Sequence, residues 1–151
     1  MRWMAAREIL IGLAMLGGTG GVAGAQTPAA TAGTLSESRV FVLEEMPVRK
    51  TANGGESWDV MHGALATGEV VGVHESEQPT GATPVPLHVI QHSEVIVVLE
   101  GTVGFDHDGK VEKVGPGGVI YVAMGTLHRL KNVGDGPAKY VVVAIGGDVK
   151  K

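Results

Sequence analysis

Short valine-rich runs recur every eight to twelve residues from Trp58 to Ile145, many of them closed by glycine or by an Asx–Gly pair, and this rhythm leaves no room for long helices. Strands are expected at Arg39–Met46, Val60–Leu65, Val70–His74, Pro86–His92, Val95–Glu100 and Val103–Asp106, then at Lys110–Val114, Val119–Val122, His128–Asn132 and Lys139–Ile145. Asn53-Gly54-Gly55 and Gly115-Pro116-Gly117-Gly118 mark sharp reversals, and Asp108-Gly109 suits a primed two-residue hairpin. The 24 glycines and 4% aromatics agree with an all-β sandwich or barrel of antiparallel strands.

The two ends of the chain read differently. Arg2 and Arg7 precede the apolar run Ile9–Leu16 and a small-residue stretch that ends at Ala25, the pattern of a secretory signal peptide cleaved after Ala25. The run is far shorter than the ~20 residues that span a bilayer, so no stable membrane anchor is expected after cleavage. A periplasmic or secreted location follows. Gln26–Ser38 is Ala, Thr, Pro, Gly and Ser, too poor in apolar surface to offset its conformational entropy, and is expected to be a disordered leader. The folded domain is then 39–151. Losing Arg2, Arg7 and Glu8 shifts the formal charge from −4 to −5, and the basic residues form no stripe that a phosphate backbone would need. Nucleic acid is not an expected partner.

With no cysteine in the chain, any metal must be held by nitrogen and oxygen. His88, His92 and Glu94 share one parity with Ile90, so they line one face if Leu87–Val95 is a single strand. Successive members of that row stand roughly 6.6–6.8 Å apart, so one ion can take two or three of them only with help from a neighbouring strand. His128, entering after Met124-Gly125-Thr126, is the residue to close the site. The expected ligands of a divalent transition metal are therefore His88, His92, Glu94 and His128. His107, between Asp106 and Asp108, reads as a hairpin-tip residue, while His62 and His74 are ambiguous. His74 has the better claim to the pocket.

These residues resemble the cupins. The first cupin motif, Gly-x5-His-x-His-x3 or x4-Glu-x6-Gly, is met by His88, Glu94 and Gly101; the second, Gly-x5-Pro-x-Gly-x2-His-x3-Asn, by Gly117, Gly125, His128 and Asn132, with Ala123 for proline. Two positions depart: Ile90 stands where the second histidine belongs, and six residues, not five, separate Gly81 from His88. The resemblance covers residues 70–145 and is to small, exported, single-domain bacterial cupins. It implies a jelly-roll barrel, or double-stranded β-helix, with a metal in its mouth held by His88, Glu94 and His128. His92 could replace the missing imidazole, carry protons or face solvent.

The resemblance further implies an iron, manganese, zinc or nickel ion and a pocket for a small organic molecule. Ile90, Ile96, Tyr121, Met124, Leu130 and His74 are expected on its walls. A metal-dependent enzyme of dioxygenase, isomerase or lyase type is one expectation; a non-catalytic binding or sensing barrel and a metal-free structural dimer are the others. Pairing into a homodimer through an outer sheet is expected by analogy.

Overall fold

A computed structural model describes residues 33–147, so the expected signal peptide 1–25 and most of the leader lie outside the described residues. The strands are β1 Gly33–Leu35, β2 Val48–Lys50, β3 Glu56–Leu65, β4 Val70–Gln78, β5 His88–Val89 and β6 Ser93–Glu100, followed by β7 Val103–His107, β8 Lys110–Val114, β9 Val119–Val122, β10 Leu127–Asn132 and β11 Ala138–Ile145. They form two sheets. One has the order β1-β3-β4-β11-β6-β9, with β2 also on β3; the other has the order β5-β10-β7-β8. All pairings are antiparallel except β1 with β3.

Directly opposed residues share a face, so the registers identify what each sheet turns inward. Gly72, His74, Ser76 and Gln78 of β4 lie opposite Ala144, Val142, Tyr140 and Ala138 of β11. Ala144 and Val142 in turn lie opposite Glu94 and Ile96 of β6. From the smaller sheet come His128 and Leu130 of β10, opposed to His107 and Phe105 of β7. Ile96, Val98, Val103 and Val122 are fully sealed between the sheets. Burial of each stabilises the fold by roughly 1.5–3 kcal/mol.

A polar clasp joins the sheets at one end. Gln78 is buried; its amide donates to the Tyr140 hydroxyl at 2.8 Å, and its carbonyl oxygen accepts from the Asn132 backbone N–H at 3.0 Å. The Asn132 side chain donates to the backbone carbonyls of Gln78 and Gly136 and accepts from the Gly134 N–H. Asn132 thus ties β10 of one sheet to β4 of the other. Gly101 sits at φ +72°, and a Cβ there would lie 2.3 Å from the Pro137 carbonyl oxygen, so the turn after β6 admits only glycine.

Most expected strands are present, with an unforeseen one at Val48–Lys50 and three further differences. Arg39–Met46 is not a strand: it holds one 3-10 turn at Leu43–Glu45, and Val40 is 87% exposed. One edge of β3 is taken instead by β1 at Gly63–Leu65 and by β2 at Glu56–Trp58. Gly33–Leu35, expected within the disordered leader, is a strand because Gly63 lacks a Cβ and lets β1 approach; that Cβ would lie 2.4 Å from the Gly33 carbonyl oxygen. Finally, Pro86–His92 is ordered as a strand only over His88–Val89. Asp108, at φ +48°, and Gly109, at φ +74°, form the expected primed turn between β7 and β8.

Candidate metal centre

The row of one-parity residues from His88 to Glu94 is broken where the chain passes from one sheet to the other. His88 pairs with His128 in the smaller sheet, whereas Glu94 pairs with Val122 and Ala144 in the larger. Between them the Ile90 carbonyl accepts a hydrogen bond from the Gly125 N–H at 3.0 Å, which pins the crossing to the turn before His128. His88, Glu94 and His128, drawn from the two sheets, thereby line one cavity.

Glu94 is the hub. Its Oε1 lies 3.1 Å from His92 Nε2 and its Oε2 lies 3.9 Å from His128 Nε2. The His88 and His128 rings are tilted against each other with centroids 4.8 Å apart. His128 is 2% exposed; His88, on the short edge strand, is open to solvent.

Ring orientation bears on what these groups can bind. His128 Nδ1 lies 3.0 Å from the Thr126 carbonyl oxygen, and His88 Nδ1 lies 3.2 Å from that of Pro86. A carbonyl oxygen only accepts, so each Nδ1 carries a proton and each Nε2 is the ligating or protonatable nitrogen. His128 Nε2 and Glu94 Oε2 stand 3.9 Å apart, too far for a hydrogen bond and within the reach of two metal–ligand bonds of ~2.0–2.2 Å. The donor set fits a divalent ion by its chemistry. Among the described residues, however, no group of three or more His, Cys, Asp or Glu side chains stands ready in the arrangement that holds one. The donors come from two sheets, and His88 is carried by a strand of two residues.

The interior behind the centre is a cavity of about 230 Å3 lined by His74, Ser76, Gln78, His88, Glu94, His128, Leu130 and Tyr140, among others. A wider cleft of about 660 Å3 lies on the other side of Glu94, walled by Asp59, His62, Gly72, His74, His92 and Ala144. Burial pushes the His74 imidazole below its usual range, against the pull of the Glu94 and Asp59 carboxylates. Burial likewise raises the Tyr140 phenol.

Of the expected wall residues, Leu130 and His74 line the cavity. The other four are elsewhere. Ile96 is sealed in the core, and Ile90 packs against that core. Tyr121 and Met124 are 64% and 56% exposed; Tyr121 lies opposite Val95, a parity that turns it away from Glu94 and the interior. His107 is more than a turn residue: Asp108 and Glu112 accept from its two ring nitrogens at 2.9 and 2.6 Å, which raises its pKa, and its ring stacks on Phe105. Ser76, Gln78 and Tyr140 were not anticipated on the wall, although the two-residue period running back from His74 along β4 marks the first two.

Comparison with known proteins agrees with this architecture. Residues 74–144 match the cupin domain model. Among solved structures, an RmlC-like cupin from Shewanella frigidimarina superposes with a TM-score of 0.60 at 18% identity, over 73% of this chain and 93% of that one. A predicted oxalate decarboxylase from Thermotoga maritima gives 0.60 at 20% identity, over 72% and 100%. A sugar phosphate isomerase of the cupin superfamily from Silicibacter pomeroyi gives 0.59 at 19% identity, over 72% and 76%. No curated protein sequence matches the chain. The fold is the double-stranded β-helix, and residues 74–144 carry a cupin domain.

Proposed function

We propose that this protein is an exported cupin that holds a divalent transition metal at Glu94, His128 and His88, with His92 beside them, and acts as a metal-dependent enzyme on a small organic molecule. The observation that carries the reading is the Glu94 carboxylate set between His92 Nε2 at 3.1 Å and His128 Nε2 at 3.9 Å. When bound, iron, manganese, zinc or nickel would supply Lewis-acid polarisation or an oxygen-binding position. The chain's own groups hold and orient: the Thr126 and Pro86 carbonyls fix the imidazoles, and Leu130 and Val142 give the inner cavity apolar wall. His92, hydrogen-bonded to Glu94, is the group to hold or move a proton there.

Export rests on Arg2, Arg7, the run Ile9–Leu16 and the small residues to Ala25. Pairing of two copies is supported by the outer face of the larger sheet, where Val119 and Tyr121 are 62% and 64% exposed. A second reading, a barrel that binds a small molecule without metal, draws on Ile90 at the missing histidine position and on the unready donor arrangement.

Elemental analysis of tag-free protein decides between them. The metal reading expects close to one transition-metal ion per chain. Protein that stays metal-free after dialysis against manganese, iron, zinc or nickel overturns it and leaves the second reading.

A further inference from the structure

The turn between β2 and β3 holds a chemically labile pair, Asn53-Gly54. Gly54 is exposed and puts no side chain beside its own nitrogen; a Cβ there would meet nothing nearer than Pro79 Cγ at 4.0 Å. The Asn53 side-chain carbonyl is polarised by two donors. Its Oδ1 accepts from the Thr51 hydroxyl at 2.5 Å and from the Gly55 N–H at 3.4 Å, so negative charge developing on that oxygen is met where it forms. Among the described residues nothing hydrogen-bonds the Asn53 amide nitrogen, which is therefore free to leave. One contact opposes reaction: the Gly54 N–H donates to the Thr51 carbonyl at 3.0 Å and must let go first.

Asn132, the other asparagine of the chain, is the opposite case. Its amide nitrogen donates to the carbonyls of Gln78 at 3.0 Å and Gly136 at 2.8 Å, and the β-branched Val133 follows it.

We infer that Asn53 is a site of spontaneous deamidation in the folded protein. The Gly54 nitrogen attacks Asn53 Cγ, and the new N–C bond closes a succinimide. The Cγ–Nδ2 bond breaks, and ammonia carries off the amide group with the proton from the Gly54 nitrogen. Water then opens the ring at one carbonyl or the other, which leaves aspartate or isoaspartate at position 53. One water is consumed, one ammonia is released, and nothing is oxidised or reduced. The product sets a new carboxylate on a cavity wall that already carries Glu56 and Glu77, so the inner cavity admits anions less readily as the protein ages. Isoaspartate also lengthens the backbone of a turn closed by the Thr51 N–H on the Gly55 carbonyl.

The test holds the intact folded protein in mildly alkaline buffer at physiological temperature and follows it by peptide mass spectrometry and isoaspartate detection. The Asn53 peptide should gain one mass unit with time, faster as the pH rises because the attacking nitrogen must shed its proton, while the Asn132 peptide stays unchanged. Thr51→Val, which removes the hydroxyl donor, should slow conversion about ten-fold, and Thr51→Ser, which keeps it, should match the parent. No conversion at position 53 in the folded protein while the guanidinium-unfolded chain converts overturns the inference. So does equal conversion of Asn132, or a rate in Thr51→Val that is unchanged or faster. The elemental analysis can come out either way without touching these rates.

Discussion

His88 stands directly opposite His128 in the β5–β10 pairing, and the tilted contact of their rings is where the two-residue β5 meets the buried wall of the centre. The two imidazoles differ in setting: His128 is locked between Thr126, Phe105 and the core, whereas His88 is solvent-exposed. His128→Ala should therefore weaken manganese or zinc binding more than His88→Ala, by about 100-fold against about ten-fold, read by calorimetry. Equal losses would mean that the buried setting of His128 confers no advantage on metal binding.

Restoring the second motif histidine tests the other departure. Ile90→His restores the motif imidazole and should tighten metal binding by about ten-fold. It should also lower stability by roughly 1–2 kcal/mol, since Ile90 packs against the core. A variant with unchanged metal affinity would show that the Ile90 position does not reach the centre.

The Gln78 clasp is a stability element. Gln78→Ala leaves the Asn132 N–H without its side-chain acceptor and the Tyr140 hydroxyl without its amide donor, and should cost about 1–3 kcal/mol in denaturant unfolding. Tyr140→Phe removes one of those bonds alone and should cost less.

Gly101→Ala meets both a positive φ and a backbone clash. Strain of this kind costs on the order of 1–3 kcal/mol before the clash with Pro137 is counted. A melting temperature within error of the parent would contradict the packing described for this turn.

The metal-free protein should lose stability on mild acidification through His74. Its folded pKa lies below the ordinary value of 6.5, mainly because of burial, so between the two values the unfolded chain binds more protons. Stability from this residue is intact above 6.5 and falls as the pH drops below it. Arg49 and His92 press the same way, while Asp59 and Glu94 oppose. In His74→Gln the pH 7.5-to-5.5 drop in melting temperature should be smaller than in the parent. An equal drop would exclude His74 as a source.

The strand rhythm, the hairpin at Asp108-Gly109 and the glycine after Glu100 were legible in the chain, because alternation, turn chemistry and motif spacing are local properties. Local pattern misled at Arg39–Met46, whose apolar run Val40–Leu43 joins neither sheet. It misled again at Tyr121 and Ile96. Face assignment depends on which strand lies alongside, and the Val95–Tyr121 pairing sends that tyrosine outward.

From residues alone came the all-β class, the donor types and the motif positions, since these follow from side-chain chemistry and two-residue periodicity. Tertiary structure decided that His88 and Glu94 belong to different sheets and that Gln78 and Asn132 clasp those sheets together. Each of these is set by contacts between residues distant in the chain, and nothing local encodes which backbone will pass beside which.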